Sequence, residues 1–359
     1  MRKKLLQIGL NSGIGLIGGA ALGYPLMKRQ KQIQKSQNKF KKWLKKGKPL
    51  KKKLSYRDEN LEFLTIESPI DQLPLSVRVY KTKKPKGLVQ IVHGCQEYKK
   101  NYYELAHYLQ KAGYACILAS QRGHGDSINR KNPRGYISDL PSCVADQIAV
   151  THYLQELYPD KKLPLALIGH SFGSLIVREY LKTQSQNVQK VILLGTVQPY
   201  DLAGLASQIA KIVTLYTGAR NTELLLANYA ALLPYHSRKK WVSNNPAFLE
   251  DTLLDPKTVR DYTKQGLLTI LEADQALTQL ATPDEINQRN HTVQILSLTG
   301  EYDRVTGGPS GLRQTKKALI AQGFPLFEAV ELSGMVHDIL HDEDSKERVY
   351  PAILKFLAK

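Results

Sequence analysis

Cysteine is scarce. Three in 359 residues, Cys95, Cys116 and Cys143, make an odd number with no metal-type spacing. That argues against a disulfide framework, and a reducing compartment or small apolar filler roles fit them better. Acidic residues are missing altogether from the first 57 positions, which hold 17 Lys and Arg. From residue 58 onward 34 basic residues face 32 acidic ones, so the formal charge of +19 belongs to a tail. A nucleic-acid-binding domain spreads positive charge over a folded face, and this distribution speaks against that partner. No internal repeat is apparent.

Charge of either sign is missing from residues 5–27, a stretch long enough to span a bilayer as a helix. Gln7, Asn11 and Ser12 weaken its hydrophobicity, while Gly15, Gly19 and Gly23 recur at the spacing that lets membrane helices approach closely. Three readings stay open: a signal anchor, a signal peptide cleaved near Ala21-Leu22-Gly23, and a helix lying on a surface. Residues 28–57 follow as a basic run with Phe40, Trp43 and Leu44 interleaved. It reads either as a mobile solvated linker or as a juxtamembrane segment drawn to anionic headgroups, with Trp43 at the interface. The expected location is the cell membrane. The flanking charge leans the following domain toward the cytoplasmic side, with the extracellular side left open.

The globular part is read as residues 58–195, 196–290 and 291–359. Leu61–Glu67 and Leu75–Tyr80 alternate as half-exposed strands do, and Gly87–His93 is a denser run suited to a buried strand. Helical patterns at Asn101–Lys111 and Ser142–Tyr158 then alternate with strand patterns at Tyr114–Ala119, Leu165–Ile168 and Val188–Gly195. That rhythm predicts a mostly parallel central sheet flanked by helices. It breaks between about 196 and 290, where only helical patches occur (Leu202–Thr217, Thr222–Leu232, Pro256–Leu277), read as an inserted helical cap. It returns with strands at Val293–Leu298 and Leu326–Leu332, a helix over Gly311–Gln322 and a closing helix.

One stretch organises the rest. The apolar run Leu165–Ile168 meets Gly169-His-Ser171-Phe-Gly173, and a helix-compatible run follows. This strand–turn–helix context is what a nucleophile elbow requires. The glycines are expected to supply backbone angles and space beside the serine. A serine hydroxyl needs a base within hydrogen-bond reach, itself oriented by a carboxylate. Asp303 stands just past the strand Val293–Leu298, and His337 just past Leu326–Leu332. The order Ser171, Asp303, His337 is that of the α/β-hydrolase fold. His341 is a rival base and Glu301 a rival acid. Backbone N–H groups of Phe172, after the nucleophile, and Cys95, after the early strand, are the expected oxyanion donors.

From about residue 60 to the end the chain resembles the capped α/β-hydrolases of the monoacylglycerol lipase, lysophospholipase and serine aminopeptidase type. The resemblance rests on His93-Gly-x-x-Glu97 with Tyr102 beyond, Arg122-Gly-His-Gly-Asp-Ser127, the elbow, Gly300-Glu-Tyr-Asp303 and Gly334-Met-Val-His337. It implies that Ser171, Asp303 and His337 form a triad, that Cys95 and Phe172 donate to an oxyanion, and that residues 196–290 form the lid. It implies no metal and no organic cofactor. Ser120 departs from the acidic residue often found before the Arg-Gly-His-Gly turn, and the basic N-terminus is not part of the family core. The implied substrate is an acyl ester such as a lysophospholipid or monoacylglycerol. A short-chain carboxylesterase, a serine peptidase, and a non-catalytic binding protein on a hydrolase scaffold are the alternatives.

Overall fold

The computed structural model describes residues 14–47, 49–199 and 242–359, with side chains from Met27 onward. Nine strands form one sheet in the order β1-β2-β3-β5-β4-β6-β7-β8-β9. They are β1 (Lys52–Arg57), β2 (Leu61–Glu67), β3 (Pro74–Tyr80), β4 (Leu88–Val92), β5 (Ala115–Ala119), β6 (Leu165–His170), β7 (Lys190–Leu194), β8 (Gln294–Gly300) and β9 (Phe327–Leu332). The first three are antiparallel to their neighbours, and every pairing from β5 to β9 is parallel. Burial follows from this. β2 alternates buried and half-buried positions, whereas β4, β5 and β6 are buried throughout, as parallel strands covered on both faces must be.

Helices supply both covers. One apolar layer packs α3 (Leu140–Leu157) and α4 (Phe172–Gln184) on the sheet through residues such as Ile148, Leu154, Leu175 and Leu181. The other packs α2 (Tyr103–Lys111) and α9 (Ser345–Ala358) on the opposite face through Leu105, Leu109, Ile353 and Phe356. Asp139 caps α3, its carboxylate accepting from the Ser142 N–H, with Pro141 in the first turn.

Between β7 and β8 the described residues form α5 (Pro246–Leu254), α6 (Lys264–Ala276) and the short α7 (Pro283–Asn287), and α8 (Gly308–Ala321) follows β8. The helical pattern expected from Pro256 begins only at Lys264, because Thr263 takes the N-cap position and accepts from the Gly266 N–H. Leu202–Thr217 and Thr222–Leu232 lie outside the described residues. Helix α6 is fastened to the core: Thr269 donates to the Ile137 carbonyl and Gln265 to that of Ser138.

The N-terminal region departs from expectation. Residues 28–46 are not a linker. They continue α1 (Ile14–Lys46), which lies on the body through Arg29, Ser36, Phe40 and the half-buried Trp43. Trp43 stacks on His152 of α3 at 5.2 Å, packing against the body of the protein. The globular part also starts earlier than residue 58, since Lys52–Arg57 pair with β2. Residues 5–13 of the expected membrane-spanning stretch lie outside the described residues. Among the described residues no helix is long and apolar enough to cross a membrane.

Candidate active site

The elbow sits where β6 ends and α4 begins. Ser171 carries the strain, with φ +50° and ψ −117°, a conformation that costs a non-glycine residue energy and is kept only where the surroundings enforce it. Its N–H donates to the Leu194 carbonyl on β7, and its carbonyl accepts from the Ser174 N–H. Of the two purposes expected of the elbow glycines, Gly173 serves space and not backbone angle. A Cβ there would come within 2.2 Å of the Val92 carbonyl oxygen at the end of β4. The helix can therefore start directly against the sheet, aiming its first free N–H groups past the serine.

The three expected side chains meet. Ser171 Oγ lies 3.0 Å from His337 Nε2, and His337 Nδ1 lies 3.0 Å from each Asp303 carboxylate oxygen. Asp303 is held by more than the histidine. Oδ1 accepts from the Val305 and Thr306 N–H groups, and Oδ2 accepts from the Thr299 and Thr306 hydroxyls. Burial alone would raise this carboxyl, but His337 beside it and these donors bring it down to about 2, so it stays ionised. The loop bearing His337 comes close because residue 300 is glycine: a Cβ there would stand 2.2 Å from the Val336 carbonyl oxygen.

Both rivals are occupied elsewhere. His341 Nδ1 faces the Asp338 carboxylate at 2.9 Å, its Nε2 faces the Asn101 carbonyl at 2.6 Å, and its ring stacks on Phe248. Glu301 accepts from the Ser333 hydroxyl and the Gly334 N–H, bracing the turn before His337.

The loop after β4 carries Cys95, with Phe172 across the elbow. It is held by two networks that sequence reasoning did not assemble. In the first, the buried Glu97 carboxylate accepts from the Gly94 N–H at 2.9 Å, the Tyr102 hydroxyl at 2.5 Å and His170 Nδ1 at 3.2 Å. Burial works against the charge of His170, but the Glu97 carboxylate overrides it and lifts the imidazole to about 9. Glu97 in turn is pulled below the usual carboxylate range by His170, despite its burial. The result is a buried ion pair whose imidazolium ring lies 5.2 Å from that of His337.

In the second network, Tyr262 reaches in from the cap. Its hydroxyl accepts from the Gln96 N–H at 2.7 Å and lies 2.8 Å from His124 Nε2. His124 Nδ1 bonds the Arg122 carbonyl, and burial pushes this imidazole down to about 3. A neutral ring that donates from Nδ1 leaves Nε2 to accept from the tyrosine. Arg122, on the loop after β5 that also carries His124, ties that loop to α3 and to the β2–β3 turn through Asp146, Ser138, Ser68 and Asp71. Tyr102 and Glu97 lay within a quoted motif and His170 within the elbow. Tyr262 carried no sequence signal.

The sheet order and the strained elbow, with Ser171, His337 and Asp303 brought together at the carboxyl edge of the sheet, are those of the α/β-hydrolase fold. The Hydrolase_4 family model, described as serine aminopeptidase, matches residues 83–344, and the chain belongs to that family. A curated relative, Phospholipase YtpA of Bacillus subtilis (strain 168), is 28% identical over 146 residues, 40% of this chain and 51% of that protein. The chain thus spans about half the length of the curated relative it matches. Similar solved structures include a thermostable carboxyl esterase from Bacillus coagulans bound to glycerol, with TM-score 0.73 at 21% identity, covering 84% of this chain and 99% of that one. Another is a soluble variant of monoglyceride lipase from Saccharomyces cerevisiae with a substrate analogue, with TM-score 0.63 at 17% identity, covering 85% of this chain and 94% of that one. At these identities the structural likeness speaks for the fold.

Proposed function

We propose that the protein is a serine hydrolase that cleaves carboxylic esters of acyl lipids through an acyl-enzyme. The observation that carries this reading is the unbroken chain from Ser171 Oγ through His337 to Asp303, each link at 3.0 Å. Oγ attacks the ester carbonyl carbon while its proton passes to His337 Nε2, and the carbonyl π pair moves onto oxygen. The N–H groups of Phe172 and Cys95 donate to that oxyanion. Collapse breaks the bond to the leaving alkoxide, which takes the proton from His337. Water, deprotonated by the same nitrogen, then attacks the acyl-enzyme and releases the acid and free Ser171. Asp303, fixed by four donors besides the histidine, keeps the imidazole in one tautomer and balances its charge at each transfer. None of these steps draws on a metal or an organic cofactor.

The lipid substrate class is supported by the phospholipase relative and by the monoglyceride lipase of similar fold. The test is hydrolysis of nitrophenyl esters from acetyl to palmitoyl, of lysophosphatidylcholine and of a monoacylglycerol, by wild type and Ser171→Ala. Turnover that rises with acyl length and vanishes in the variant supports the proposal, and turnover confined to short esters replaces it with a general esterase. The family's description as serine aminopeptidase favours one second reading, and Ser171-dependent release of nitroaniline from aminoacyl anilides without ester turnover would establish it.

A further inference from the structure

We propose that one flank of α1 is a docking surface for an anionic phospholipid bilayer. Lys28, Lys31, Lys35, Lys39, Lys42 and Lys46 recur at intervals of three and four, which places them in a single stripe along the helix. At 1.5 Å per residue the stripe is about 27 Å long. All six are exposed. Lys39 donates to the Ile70 carbonyl, and among the described residues no carboxylate pairs with any of the six. Gln34 and Asn38 lie alongside, lining a shallow hollow with Lys31, Lys35, Lys39 and Lys42.

Such a stripe is costly for a lone helix, because like charges three and four residues apart repel. The helix is held in place regardless, by its other side. Arg29 forms an ion pair with Glu272 of the cap helix at 2.5 Å and donates to the Ser138 carbonyl and the Thr269 hydroxyl. Ser36 donates to Asp139 at 3.0 Å, while Phe40 is buried. Core and cap together thus hold the helix as a rigid support that presents the lysines to solvent.

The chemistry of the stripe selects a phosphate-bearing surface, and two features favour a bilayer over a nucleic acid. Every charged group in the stripe is lysine, a point charge without the planar fork that reads phosphate and base edges in pairs. The same helix continues N-terminally through Ile14–Met27, a segment with no charged residue, for which a polynucleotide offers no partner and a lipid interface does. Lysines beside a membrane gain from its negative surface potential and lose that gain in salt.

The experiment uses the full chain in co-sedimentation with phosphatidylcholine vesicles, with and without phosphatidylserine. Lys28, Lys31, Lys35 and Lys42 are replaced together by Gln, and Lys39 is left because it holds Ile70. Phosphatidylserine is expected to strengthen wild-type binding, and the four substitutions to weaken it by on the order of 1,000-fold. Added salt should weaken wild-type binding likewise, and the variant should keep its nitrophenyl acetate turnover and a thermal midpoint no lower than that of the wild type. Equal wild-type binding to both vesicle types would overturn the proposal, as would undiminished binding by the variant. Tighter binding of single-stranded DNA than of phosphatidylserine vesicles would overturn it in favour of a nucleic acid. Ester turnover is read separately, so failure of this proposal and of the hydrolase reading remain distinguishable.

Discussion

Replacing Glu97 by Gln tests how the loop after β4 is held. The wild-type carboxylate keeps His170 protonated to about pH 9, against 6.5 for an ordinary imidazole. That difference corresponds to ~3 kcal/mol of folding stability. The folded value lies above the unfolded one, so the contribution is complete below pH 6.5 and disappears as pH rises through 9. Glu97 sets the acid edge, since a lowered carboxyl stabilises only above its unfolded value and the gain is lost as pH falls toward its folded one. In Glu97→Gln the buried imidazole loses its hydrogen-bonded counterion, and with only the weaker pull of Asp338 and Asp303 against its burial it sheds its proton, while the amide oxygen can still accept from Gly94 and Tyr102. The variant should therefore be ~3 kcal/mol less stable at pH 7, within the range for breaking a buried ion pair. Much of that gap should close near pH 10, where His170 is neutral in both proteins. Urea unfolding at the two pH values reads this directly, as a midpoint shift of up to about 1 M at pH 7. A gap of equal size at both pH values would refute the ion pair and leave Glu97 as a hydrogen-bond acceptor only.

Two further outcomes follow from the geometry. Gly173→Ala drives a Cβ into the Val92 and His93 carbonyls at 2.2 and 2.7 Å, so the elbow must open; thermal melts should show a loss of about 3 kcal/mol or more, with esterase activity lost as well. Asp303→Asn keeps the volume but offers an amide N–H₂ where the carboxylate now accepts from Thr299, Thr306 and His337. kcat should fall by ~10⁴-fold in steady-state assays of soluble esters.

Legibility in the sequence tracked how local each signal was. Ser171, Asp303 and His337 could be placed because each follows a strand directly, and strand order constrains what lies at the carboxyl edge of a parallel sheet. His341 could not be dismissed from sequence, since its engagement with Asp338 and Asn101 depends on how the last loop folds over α2. The charge on His170 was invisible for the same reason: Glu97 is 73 residues away along the chain. Helix α1 was misjudged because its inward face is sparse. Arg29, Ser36 and Phe40 among so many lysines do not make an apolar stripe, and their partners on α3 and α6 come from elsewhere in the fold.

Tyr262 makes the cap more than a cover. Because its hydroxyl accepts from the Gln96 N–H beside Cys95, the oxyanion donor of the proposed mechanism, the inserted segment also holds the loop after β4. A cap exchanged with that of a relative would have to bring a tyrosine to the same place, or His124 and the loop after β4 would lose their shared partner. Under the proposed mechanism, substrate range and catalytic competence are coupled, and altering the first by redesigning the cap would require preserving Tyr262 for the second.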